Sequence, residues 1–151
     1  MRTLNGKILT FDVDGVVANT KGNDYKNSVP FEFAIKHINK AYDLGYTILL
    51  FTARYGSRCK GNIHEIYNKG FLELKEWCDK HGIKYDNIYL SKPVSSLFID
   101  DRAVKVESLK GEDDWINNFW PAVENLEMVD EYNQSFKRSE LVELGEKVKD
   151  I

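Results

Sequence analysis

The chain has 151 residues, 42% of them hydrophobic, and a formal charge of −3. That length fits one globular domain with a real core, and the slight acidity argues against a general nucleic-acid binder. Two cysteines cannot build a disulfide framework, and no apolar run approaches the roughly 20 residues needed to span a bilayer; with no signal-peptide core at the N-terminus, a cytoplasmic protein with no membrane partner is expected.

Ile8-Leu9-Thr10-Phe11 is short and nearly continuous in apolar character, as in a strand covered on both faces. It runs into Asp12-Val13-Asp14-Gly15. Pro30 suits a first helical turn, and Phe31, Ala34, Ile35, Ile38, Ala41 and Tyr42 recur at helical spacing until Gly45, predicting a helix over about 30–44. Tyr46 to Phe51, rich in β-branched and aromatic residues, predicts a second buried strand ending at Thr52. Phe71, Leu74, Trp77 and Cys78 mark another helical face, closed by Gly82. Asn87–Leu90 and Ser96–Ile99 predict two more short strands, the second leading into Asp100-Asp101. Acidic residues 112–114 ahead of Trp115, Phe119 and Trp120 predict a helix start with an aromatic, core-packing face, and Leu141, Leu144, Val148 and Ile151 predict a terminal amphipathic helix.

Strands alternating with helices imply an α/β fold, a Rossmann-like parallel sheet with helices on both faces, followed by a C-terminal helical extension. A single domain over 1–151 is expected, its core at about 7–106 and its helical tail at about 107–151. In open parallel sheets the binding crevice lies beyond the carboxyl ends of the strands. Asp12, Thr52, Ser91-Lys92 and Asp100 all stand at such ends. Carboxylates gathered there repel one another unless a hard cation or a lysine offsets them, so a divalent ion is expected. An aspartate can also take a phosphoryl group that water later removes, with fixed donors and charges compensating the phosphoryl oxygens.

Phe11-Asp12-Val13-Asp14-Gly15-Val16, Phe51-Thr52-Ala53-Arg54, Lys92 and Ile99-Asp100-Asp101, in that order, resemble the four motifs of the haloacid dehalogenase-like (HAD) superfamily of aspartate-nucleophile phosphatases. The resemblance implies Asp12 as nucleophile, Asp14 as general acid and then base, Thr52 and Lys92 on the phosphate, and Mg²⁺ as cofactor. Asp12, the Asp14 backbone carbonyl and Asp100 are the implied metal ligands, with Asp101 in the outer shell. Ile99 stands where the family commonly has Gly. Neither gap between motifs has room for a cap domain, which implies a capless, open site; in this superfamily such a site is similar to members that act on large substrates or borrow a neighbouring subunit as lid. The loop 19–27 and the segment 54–58 would flank it, with Arg54 and Arg58 holding the leaving portion of the substrate. The implied activity is phosphomonoester hydrolysis through an aspartyl-phosphate, on a small phosphorylated metabolite such as a sugar phosphate. Two readings stand beside it: a nucleotide or polynucleotide-end phosphatase, and a non-catalytic phosphate-binding or phospho-receiver-like module, although a receiver would place its acceptor aspartate on a middle strand.

Overall fold

The computed structural model describes residues 2–124 and 126. Three strands, β1 (Ile8–Asp12), β4 (Thr47–Phe51) and β5 (Asn87–Tyr89), form a parallel sheet in the order β1-β4-β5. Ile8 lies opposite Thr47 and Asp12 opposite Phe51, so β1 and β4 end level with each other. Tyr89 in turn lies opposite Phe51. Because parallel strands point the same way, level ends put Asp12, Thr52 and the residues after Tyr89 on one rim.

Between these strands run α1 (Glu32–Asp43) and α2 (Ile63–Lys80). The chain is therefore α/β, as its alternating pattern predicts. Ala34, Ile35, Ile38 and Ala41 form the buried stripe of α1, and Ile66, Leu74, Trp77 and Cys78 that of α2; they pack in one core with Leu9, Phe11, Ile48, Leu50 and Ile88. Fully buried aliphatics such as Ile38, Ile48 and Leu50 contribute about 1.5–3 kcal/mol each relative to exposure. α1 stops where Gly45 takes φ 99°, and a side chain there would meet the Thr3 carbonyl oxygen at 2.2 Å.

Some elements differ from expectation. Pro30 is not in the first turn of α1. It belongs to a small antiparallel hairpin, β2 (Ala18–Asn19) with β3 (Val29–Pro30), and Phe31 becomes the N-cap. α2 begins well before its apolar face, because the Asn62 side chain accepts a hydrogen bond from the Glu65 N–H and caps the first turn.

The larger difference is at 96–99, where no strand forms. Leu97, Phe98 and Ile99 are 72%, 51% and 94% exposed, so the fourth strand expected on the sheet is replaced by an open loop, and among the described residues β1 keeps an unpaired edge. Three apolar residues suffice to suggest a strand in sequence. They do not fix a partner for it.

Beyond the loop, a helical segment starts at Glu112–Asp114, widens to a π turn over Trp115–Phe119 and resumes at Trp120–Glu124. Pro121 lacks an N–H and crowds the carbonyl one turn earlier, a sequence cause for that widening. Trp115 and Phe119 pack on Phe11, with ring centroids 6.2 and 5.9 Å away. The aromatic face thus joins the core, directly behind Asp12. The stripe from Leu141 to Ile151 lies outside the described residues.

Candidate active site

Asp12 ends β1, with its side chain about one-third exposed. Lys92 Nζ lies 3.4 Å from Asp12 Oδ2. The backbone explains this meeting of distant residues: the Thr52 N–H donates to the Tyr89 carbonyl and the Lys92 N–H donates to the Thr52 carbonyl, so the ladder between β4 and β5 continues past the sheet. Ser91 turns the chain between those bonds with φ 72°, in the left-handed region that a non-glycine residue enters at a cost. Burial pushes the Asp12 carboxyl above its ordinary range, while Lys92 and the Val13 N–H pull it back.

Asp14 follows on the turn that Gly15 permits at φ 88°. Arg54 grips it: Nε donates to Oδ2 at 2.9 Å and Nη2 to Oδ1 at 2.8 Å. Thr20 Oγ1 donates to the same Oδ1 at 2.5 Å, and its oxygen lies 2.7 Å from Ser28 Oγ. Arg54 itself is buried, with its guanidinium over the Tyr25 ring at 4.6 Å and Nη2 also directed at Ser28 Oγ. The Trp77 indole N–H fixes the far end of the loop by donating to the Ser28 carbonyl. Residues 20–28 are therefore tied to the site at Thr20, Tyr25 and Ser28.

Four expected site residues are placed differently from their anticipated roles. Thr52 is completely buried, and its Oγ1 accepts the Arg54 N–H, a local cap that leaves the side chain out of the cavity lining. Arg54 holds Asp14 rather than standing free for a leaving group, because a buried guanidinium needs a carboxylate partner. Asp100 and Asp101 stand on the exposed loop, where Asp100 accepts the Arg102 N–H. Arg58 does line the cavity. Thr20 and Tyr25 lie in the loop 19–27 expected to flank the opening, but their contacts with Asp14 and Arg54, and the part played by Ser28, have no signal in the sequence; Thr20 and Ser28 sit among polar loop residues with no periodicity to single them out.

A magnesium ion takes about six oxygen ligands in near-octahedral geometry. Asp12 and Asp14 have the right hard-oxygen chemistry, yet among the described residues no three acidic, His or Cys side chains converge. With Asp100 on the exposed loop, the described side chains alone do not complete such a set.

The cavity beside Asp12 and Asp14 has a volume of about 300 Å³ and is walled by Asn23, Tyr25, Tyr55, Ser57 and Arg58. Two carboxylates at one end and an aromatic, polar wall at the other make a cleft for a small polar molecule. Among the described residues no helix is long and apolar enough to cross a membrane.

An α/β domain with its polar residues at the carboxyl rim of a parallel sheet is thus the class this chain defines. A crystallised protein from Vibrio cholerae shares 34% sequence identity with it, with 67% of this chain and 85% of that one covered and a TM-score of 0.63. The chain belongs to the same family as that protein. No protein-family profile matches it, and no curated protein is similar enough to count as a relative. Chains of a Pnkp1/Rnl/Hen1 complex and of the Pnkp1/Rnl/Hen1 RNA repair complex each share 11% identity over 74% of this chain and 34% and 31% of theirs, with TM-scores of 0.41 and 0.40. That likeness is too slight to bear on the activity.

Proposed function

We infer that the protein is a phosphomonoester hydrolase of the HAD type, capless and acting through an aspartyl-phosphate on a small phosphorylated metabolite such as a sugar phosphate. The observation that carries this reading is the pairing of Asp12 with Lys92 at the level ends of β1 and β4, with Asp14 two residues on. A carboxylate attacking phosphorus needs a cation to offset the anion it approaches. Lys92 supplies one from the chain itself.

In this scheme an Asp12 oxygen forms a bond to phosphorus as the bond to the leaving oxygen breaks, and Asp14 gives that oxygen its proton. Water then attacks the phosphorus of the aspartyl-phosphate, Asp14 takes the water's proton, and inorganic phosphate departs as the Asp12 carboxylate is restored. Oδ1 of Asp14 receives Arg54 Nη2 and Thr20, whereas Oδ2 receives Arg54 Nε alone and keeps a lone pair on which the proton can be carried.

Mg²⁺ belongs to this reading as a binding requirement. Asp12 and Asp14 supply hard donors, and the apolar run Leu97-Phe98-Ile99 would have to settle on the open edge of β1 to bring Asp100 and Asp101 toward them. The cytoplasm, with its reduced thiols, suits two free buried cysteines, Cys59 and Cys78.

Release of phosphate from an aryl phosphate tests the reading. Turnover that requires MgCl₂ and falls to background in Asp12→Asn, with the fold intact by circular dichroism, is expected. Turnover that survives in that variant rejects Asp12 as nucleophile and with it this mechanism.

A further inference from the structure

The charges that line the cavity cancel in pairs except for one. Asp12 is offset by Lys92 and Asp14 by Arg54, which leaves Arg58 without an ion-pair partner among the described residues. Its guanidinium carbon lies 5.0 Å from the centre of the Tyr55 ring, a cation on an aromatic face. The shelf beneath it is rigid for identifiable reasons. Tyr55 is buried although it takes φ 66°, a conformation that costs a bulky residue free energy and is kept only where the surroundings impose it. Its hydroxyl donates to Glu73 at 2.8 Å, its ring tilts against Tyr25 at 5.2 Å, and behind it Gly70 leaves so little space that an added Cβ would sit 2.8 Å from Tyr55 Cδ2.

We propose that Arg58 on the Tyr55 shelf is a specificity site for a second negative charge, a carboxylate or another phosphate, on the leaving portion of the substrate. The inference rests on the phosphatase reading for what happens at Asp12, but its own content is which esters are selected. Arg54 cannot serve this purpose, because Asp14, Ser28 and Tyr25 already hold it. Asn23 and Ser57 offer small polar contacts beside the shelf, as a polyol between two anionic ends requires. The cavity volume of about 300 Å³ matches a compact molecule of that kind.

Binding and turnover of 6-phosphogluconate and sorbitol 6-phosphate separate this inference from the one it rests on, since the two open-chain esters differ in a carboxylate against a hydroxymethyl group at the far end. Calorimetry on the Asp12→Asn protein with MgCl₂ reads recognition without chemistry. It is expected to show 6-phosphogluconate bound at least about tenfold more tightly, the usual effect of a charge-assisted hydrogen bond. Arg58→Gln in that background is expected to erase the difference, and Arg58→Lys to keep part of it. In the active enzyme Arg58→Gln should lower the ratio of kcat/KM for 6-phosphogluconate over sorbitol 6-phosphate by a similar factor. Equal binding of the two esters, or a preference that Arg58→Gln leaves intact, overturns the inference. Absence of turnover with the binding preference retained would instead reject the phosphatase reading alone.

Discussion

Arg54 and Asp14 meet as a two-pronged ion pair in which one partner is buried and the other is about one-third exposed. The pair gives Arg54 two duties: it holds the carboxylate proposed to move protons, and it fills the space between Tyr25 and Trp77. Arg54→Lys preserves charge but loses the fork, and a fall in kcat of at least about tenfold is expected, with a smaller change in KM. Arg54→Ala adds a cavity and an unpaired carboxylate and should cost about 2–3 kcal/mol by urea unfolding. Thr20→Val removes one donor from Asp14 and should lower kcat several-fold, while Thr20→Ser restores it; equal activity in both variants would show that Thr20 does not orient Asp14.

Lys92 faces the proposed nucleophile from a strained turn, and its charge is the one the chain itself brings to Asp12. In Lys92→Met the stem stays and the charge goes, leaving a half-buried carboxyl that burial pushes up. Phosphate release should drop about a hundredfold or more, the usual scale for one lost electrostatic contact to a reacting group. Wild-type rates in Lys92→Met would remove Lys92 from the chemistry.

Much of this geometry can be read before any coordinates. Asp12, Thr52 and Lys92 each follow a run of apolar residues, and parallel strands of similar length bring their ends to one rim. The buried stripes of α1 and of the second half of α2 follow from periodicity. What periodicity cannot reach is a contact between irregular segments. Thr20 and Ser28 meet Asp14 and Arg54 through a loop tied down by an indole N–H and a tyrosine face, with no repeat in sequence to announce it. The same gap explains Thr52, whose hydroxyl is spent on its own turn, and Ser96–Ile99, whose apolar character says nothing about whether a neighbouring edge receives it.

That open edge makes a specific forecast about metal. If Leu97-Phe98-Ile99 pairs with β1 when magnesium binds, the amides of 97–100 should become protected from hydrogen exchange on adding MgCl₂, and Asp100→Asn should abolish the protection. Exchange in this segment that ignores magnesium would exclude Asp100 as a ligand delivered by strand pairing.

Gly70 lies in the interior of α2, where alanine ordinarily stabilises a helix by about 1 kcal/mol over glycine. Here the added methyl would press on the ring of Tyr55 at 2.8 Å. Backbone held in a helix and a ring held on three sides leave little room to yield. Gly70→Ala should therefore destabilise the fold, by about 1–3 kcal/mol, the common cost of overpacking. A raised melting temperature in this variant would mean that the Tyr55 shelf is softer than its contacts imply.

His37 couples the fold to pH through the aromatic segment behind Asp12. Its Nδ1 accepts the Trp120 indole N–H at 3.0 Å, so the neutral ring carries its proton on Nε2, a buried atom with no hydrogen-bond partner among the described residues and 3.8 Å from Glu112. Protonation would set two N–H donors against each other. Burial is the main force holding His37 below its ordinary 6.5, with Lys36 and Lys40 on α1 acting in the same direction and Glu112 opposing them. A histidine that resists its proton when folded, but not when unfolded, gives stability that is complete above about pH 6.5. That contribution declines as pH falls from there through the lower folded value. Urea unfolding at pH 7.5 and at pH 5 should show this loss, and His37→Gln should flatten the dependence, since its amide cannot gain a charge. Trp120→Phe removes the donor and should cost about 1 kcal/mol at pH 7.5, with the cost shrinking at pH 5, where the hydrogen bond is already losing its acceptor. A penalty for Trp120→Phe that is the same at both pH values would show that the clasp between His37 and Trp120 does not respond to protonation.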